Sequence, residues 1–110
     1  MTTSPGSFQK QPSEQYNITF SFSKQLSSSG AEISSKEVIA SLNGTDVTSD
    51  IIQGSAISSD GLSVIVGVKG GIDRNNYVIT VKVTSNQALD GSDTEKCKYE
   101  AETTMVVLNT

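Results

Sequence analysis

Between Gly61 and Ser85 the chain reads GLSVIVGVKGGIDRNNYVITVKVTS, and apolar residues occupy every second position in two arms. Leu62, Val64, Val66 and Val68 form the first row, and Tyr77, Ile79, Val81 and Val83 the second. Successive side chains on a strand point to opposite faces, so each arm has one oily face and one mostly polar face. This spacing predicts two strands joined by a glycine-rich turn into an antiparallel hairpin that covers a core. The best apolar residues of the chain are thus committed to packing, and no comparable cluster of reactive side chains stands elsewhere.

The same two-residue rhythm recurs on both sides of this segment. Tyr16, Ile18, Phe20 and Phe22 alternate with Asn17, Thr19, Ser21 and Ser23, which predicts a first strand and makes it the most aromatic stretch. Turn chemistry at Ser28, Ser29 and Gly30 leads to a second strand through Val38, Ile39, Ala40 and Leu42, ending at Asn43-Gly44. The following TDVTSD reads as connection, so Asn43-Gly44 is expected to bend a loop rather than open a partner strand. Ile51, Ile52 and Ile57 predict a short third strand, broken near Gly54 by a bulge or a sharp twist. After a polar turn, NQALDGSD, one parity carries Cys97, Tyr99, Ala101, Thr103, Met105 and Val107 along a long final strand. Lys98, Glu100 and Glu102 take the opposite parity and are expected to face water.

Strands at about ten-residue spacing with no useful helical periodicity point to an all-β fold, an immunoglobulin-like antiparallel β-sandwich of six to seven strands. The chain has no Trp and a single Cys, so the likeness is to the architecture alone, and a small closed barrel stays open as the alternative. Residues 15–110 form the predicted domain. Residues 1–14 hold both prolines, Pro5 and Pro12, and little to bury, which predicts a flexible or loosely docked leader. At 110 residues such a domain buries about two thirds of its unfolded surface and folds without metal or disulfide help.

Charge and composition exclude several classes of function. A formal charge of −4 with scattered basic residues lacks the clustered Lys and Arg that displace counterions from a phosphate backbone, so nucleic acid is not an expected partner. Apolar runs fall well short of the eighteen or so residues of a membrane span, so no membrane is expected either. The opening MTTSPGSFQKQPSEQ has neither a basic start nor an apolar segment, and no Sec signal peptide is expected. Ser and Thr make up about a quarter of the chain, which suits turns and half-wet sheet faces.

Nothing in the chain equips it for catalysis. There is no His to activate Cys97, which reads as a small apolar filler in a strand that reacts slowly until unfolding. Asp90, Asp93 and Glu95 share one turn but lack the regular ligand spacing of a calcium loop, and Asp46 and Asp50 read as turn formers. Gly70-Gly71 returns straight into a strand, whereas a phosphate cradle leads into a helix. Asn17-Ile18-Thr19 and Asn43-Gly44-Thr45 fit the glycan acceptor pattern, as expected by chance in a chain this rich in Ser and Thr. No catalytic, cofactor-binding or metal-binding residue is assigned, and no cofactor is expected.

The order SSDGLSVIVGVKGG, then NNYVITVKVTS, then KYEAETTMVVL resembles small bacteriophage virion proteins of the fibre-tail adaptor and neck-region families. The matching positions are Phe20, Phe22, Val64, Val66, Gly70, Gly71, Tyr77, Ile79 and Thr80, and the likeness runs from about Tyr16 to Leu108. The chain departs from the pattern in lacking a Trp on the aromatic strand and in its longer, more acidic LDGSDTEKC insert. The resemblance implies a non-enzymatic structural protein, an adaptor or connector in the tail or neck of a virion, made in the cytoplasm of a host bacterium. Its implied partners are other virion proteins, with a ring of its own copies as one arrangement. Contact surfaces are then expected at the leader Met1–Glu14, at the loops Asn43–Asp50 and Gln87–Asp93, and at the edges of the first and last strands. The alternative reading is an immunoglobulin-like binding or spacer module of a bacterial surface or secreted protein.

Overall fold

The computed structural model describes residues 2–26, 30–88 and 96–109, with the backbone alone for residues 2–6 and 88. Eight strands are present among them: β1 (Thr2–Lys10), β2 (Tyr16–Ser21), β3 (Ile33–Leu42), β4 (Thr45–Asp46), β5 (Ile52–Ile57), β6 (Ser63–Val68), β7 (Asn76–Ala88) and β8 (Lys96–Val107). Two single turns of helix, α1 (Ser23–Leu26) and α2 (Thr48–Ile51), punctuate the connections. The strands form two sheets, of order β1-β8-β7-β3-β4 and β2-β6-β5. The expected all-β architecture of two layers is therefore present, with one strand more than the upper count expected.

The two diagnostic rows both face the interior, fully buried except for the partly buried Leu62, but they are not partners. β6 pairs with β2 and β5, whereas β7 pairs with β3 and β8, so the Gly70-Gly71 segment carries the chain from one sheet to the other. This corrects the expected hairpin, and packing gives the reason. Each fully buried Val or Ile side chain contributes roughly 1.5–3 kcal/mol, and two oily rows on one sheet would still need a second layer to cover them. Placed on opposite sheets, they contribute to a shared interior. Val64, Val66 and Val68 join Phe20 and Phe22 on one side, and Tyr77, Ile79, Val81 and Val83 join Ala40, Ala101, Met105 and Val107 on the other, all buried in one cluster.

The crossover depends on its glycines. Gly70 (φ 61°) and Gly71 (φ 96°) both take the left-handed conformation that only glycine adopts without strain. A Cβ on Gly71 would also lie 2.7 Å from Val107 Cγ2. The other glycine turn is tighter than the sequence suggests. Asn43 (φ 51°) and Gly44 (φ 84°) close a two-residue hairpin that pairs Leu42 with Thr45 and Ser41 with Asp46. Positive φ at both central positions is what the twist of a hairpin demands, and this local preference outweighs the polar look of TDVTSD. The predicted break near Gly54 is present as a register shift between Ile52 and Gly54.

In the N-terminal segment, expected as a flexible or loosely docked leader, residues 2–10 form β1, parallel to β8 from Thr2 opposite Glu100 to Lys10 opposite Val107. A register shift between Thr3 and Gly6 brackets Pro5, a residue tolerated at an edge or bulge because it lacks an N–H. Prolines and polar side chains hid this strand, since an edge strand is held by backbone hydrogen bonds and needs no oily row.

Candidate interaction surface

No group of three or more His, Cys, Asp or Glu side chains that could hold a metal occurs among the described residues. The acidic turn Asp90–Glu95 and most of the loop Gln87–Asp93 lie outside those residues. Asp46 acts locally: its Oδ1 accepts the Thr48 hydroxyl at 2.7 Å and the Thr48 N–H at 2.9 Å, and these bonds hold its carboxyl below the ordinary range. Cys97 is half-buried rather than the interior filler expected, because it sits near the start of β8 beyond the densest packing. The surfaces that remain are faces, ends and edges.

At one end of the sandwich, three segments distant in sequence converge. Lys10 is 1% exposed, and its Nζ donates to the carbonyl oxygens of Gln11 (2.7 Å), Pro12 (3.2 Å) and Gly70 (2.6 Å). Burial lowers its pKa, and the charge of Glu14 opposes that shift. A Cβ on Gly70 would meet the Asp50 backbone oxygen at 2.8 Å, so α2 packs under the crossover. Two of the three expected contact segments, the end of β1 and the connection through Asp50, are thereby gathered around Gly70. The third, at Gln87, lies at the far end of β7. Buried Lys10 was missed because a single Lys in a polar stretch carries no sequence signal of burial.

The two sheets differ sharply in charge. On the outer face of the five-stranded sheet, Glu37, Lys82 and Glu100 stand opposite one another on neighbouring strands, a row of alternating sign. In the three-stranded sheet, β2, β5 and β6 contain no Asp, Glu, Lys or Arg at all. Its outer face is built from cross-strand rows of Asn17, Gly67 and Gly54, then Thr19, Ile65 and Ala56, then Ser21 and Ser63. Surface strands of a solvated domain usually carry charge, particularly at edges, where charge prevents unwanted pairing. A neutral sheet with polar but uncharged side chains suits contact with another protein, since no ion needs to lose its water.

Of the two edges expected to be open, one is open throughout. β2, the predicted first strand, lies at the edge of its sheet, whereas β8 is flanked by β7 and, from Glu100 to Val107, by β1. Tyr16 folds back toward β1: its hydroxyl donates to the Gln9 carbonyl oxygen at 3.1 Å, and its ring meets Phe8 at a centroid distance of 6.3 Å. Burial and the Glu14 charge raise its pKa.

A two-sheet β domain with an uncharged sheet and an open strand edge has the features of a structural and interaction module. The family described as podophage GP4 fiber-tail adaptor protein gp77 matches residues 10–96, most of the chain, and the protein belongs to that family. No curated protein and no solved structure matches the chain.

Proposed function

We propose that this protein is a non-enzymatic joint of a phage virion, linking fibre to tail through its strand edges, its N-terminal strand and its loops. The family carries this reading, and the uncharged β2-β6-β5 sheet is the structural observation that supports it most directly. The partners are other virion proteins, with neither nucleic acid nor membrane among them. Synthesis takes place in the cytoplasm of the host bacterium, and residence is in the virion. A rigid domain with long paired strands transmits position between neighbours, and its ends offer separate places to hold them. The principal extents of 50 × 27 × 21 Å give it the form of a short spacer.

The immunoglobulin-like reading of the sandwich is supported by strand order. β8-β7-β3 against β2-β6-β5 corresponds to the G-F-C and B-E-D strands of that architecture, with β4 added beside β3. The test is genetic and visual. Phage lacking this chain are expected to assemble particles without attached fibres, and supplying the protein during infection is expected to restore them. Normal fibre attachment in its absence would overturn the proposal.

A further inference from the structure

The segment that carries the chain between the sheets ends in a tip that the fold itself does not use. Ile72 is 66% exposed, the one large apolar side chain left in solvent among the described residues. Two positions on stands Arg74, the single arginine of the sequence. Its side chain is 87% exposed, and its backbone takes φ 73°, a left-handed conformation that strains any residue with a Cβ. Asn43, the other non-glycine residue at positive φ among those described, is of a type that tolerates it, and Arg is not.

Strain of this kind persists only where the surroundings impose it, and here they do. Arg74 N–H donates to the Val107 carbonyl oxygen at 2.7 Å, and Val107 N–H donates to the Asn75 carbonyl oxygen at 3.0 Å. Ile72 N–H donates to the Tyr77 hydroxyl at 3.0 Å, and Asn75 N–H to the Ile72 carbonyl oxygen at 3.1 Å. Asn109 N–H donates to Asp73 Oδ1 at 2.8 Å, and at the base Lys10 holds the Gly70 carbonyl oxygen. The backbone is thus fixed on both sides. The Arg74 guanidinium, by contrast, has one long ionic contact, Nε to Asp73 Oδ2 at 3.9 Å, and an exposed pair at that separation stabilises little.

We propose that this tip, Ile72 to Arg74, is a preformed knob that docks on a different virion protein, Ile72 entering an apolar pocket and Arg74 pairing with a carboxylate at its rim. The inference rests on the adaptor reading above and names one contact within it. A rigid loop binds with little ordering cost, and an arginine beside an apolar anchor suits the centre of a protein interface. A chain of net charge −4 repels an acidic partner over most of its surface, so a cation on a projecting tip also sets the orientation in which the two meet. Two grooves of the described surface argue against a second copy as the occupant. The one over β3, β7 and β8 sets Lys36, Lys82 and Lys98 against Glu37 and Glu100, an excess of cations, and the one over β2, β6 and β5 has no carboxylate. A lone Ile is too little apolar surface to hold a bilayer.

Phage lacking this chain, supplied with the full-length protein or a variant during infection, provide the test, with purified particles assayed for the chain and for fibres by quantitative mass spectrometry. The parent chain is expected to restore both, and its failure would remove the adaptor reading and this inference together. Ile72→Asp and Arg74→Asn are each expected to lower the chain or the fibres at least tenfold without lowering the melting temperature, Asn being a residue that accepts positive φ. Arg74→Gly is expected to raise the melting temperature by relief of strain and still to fail in assembly, a combination that a purely structural Arg74 does not produce. Lys24→Gln, which removes an exposed cation elsewhere, should restore particles fully. Normal particles from Ile72→Asp and Arg74→Asn would overturn the proposal and leave the adaptor role standing. So would an equal loss with Lys24→Gln, a lower melting temperature for Arg74→Gly, or an oligomer of the purified chain that Ile72→Asp dissolves in sedimentation, which would make a second copy the occupant.

Discussion

Lys10 Nζ donates a 2.6 Å hydrogen bond to the carbonyl oxygen of Gly70, sixty residues further along the chain. That bond joins the end of β1 to the segment that carries the chain between sheets, and the same ammonium also holds the Gln11 and Pro12 carbonyls. Lys10→Met keeps most of the stem but removes the donor from three acceptors. The expected loss is about 1.5–3 kcal/mol, the usual range for hydrogen bonds to a charged group. Urea unfolding measures it, and an unchanged midpoint would show that the ammonium holds nothing.

Glycine substitutions separate backbone strain from crowding. At Gly44 (φ 84°) nothing stands within 4 Å of a new Cβ, so Gly44→Ala meets only the left-handed conformation and is expected to lose about 1–2 kcal/mol. At Gly71 (φ 96°) the Cβ also meets Val107 Cγ2 at 2.7 Å, and Val107 is fully buried. Gly71→Ala is therefore expected to lose about 1–3 kcal/mol beyond Gly44→Ala. Equal losses in thermal unfolding would show that the Gly71 site yields freely.

Acid sensitivity is expected at two turns. Asp46 is bonded to Thr48, and Asp60 accepts from the Ser58 hydroxyl and the Leu62 N–H, so both carboxyls titrate below their ordinary value of 3.8. With the folded pKa depressed, the unfolded chain binds more protons in this range. The stabilisation is complete above the ordinary value and is lost as pH falls through it toward the lower folded values. Asp46→Asn and Asp60→Asn should each flatten the fall in urea midpoint between about pH 5 and about pH 2. A slope identical to that of the parent protein would place the acid sensitivity elsewhere.

The fold was legible wherever a side chain had to choose between water and core. The parity of β8 emerged as written, with Ala101, Thr103, Met105 and Val107 buried, and so did that of β2, β6 and β7. Pairing was not legible, because alternation states which face of a strand is oily and says nothing of which neighbour takes its backbone bonds. β6 and β7 look like a hairpin for that reason and lie in different sheets. β1 and β4 escaped because backbone geometry specifies them, through an edge register and an Asn-Gly turn. The neutral sheet could have been found by counting charges strand by strand, but its identity as a sheet required the pairing.

Core packing offers a direct measure of how much the shared interior holds. Phe22 is fully buried at the end of the aromatic row, among side chains contributed by both layers. Phe22→Ala removes a ring from that interior and is expected to destabilise the domain by about 3–5 kcal/mol. A loss under about 1 kcal/mol in denaturant unfolding would be incompatible with burial of this ring between two sheets.

The N-terminal strand makes the last expectation, because it separates a leader from a structural element. If residues 2–10 only hung from the sandwich, removing residues 1–9 would leave unfolding unchanged. In the observed register β1 lies beside β8 through to Lys10 opposite Val107, and without it β8 becomes a bare edge whose backbone groups turn to water or to another chain. The truncated protein keeps Lys10, the residue at which the family match begins, and both oily rows, so it should still fold. It should do so with a lower urea midpoint and with aggregation that rises with concentration. An identical midpoint and a clean monodisperse solution would return residues 1–9 to the role of a free arm.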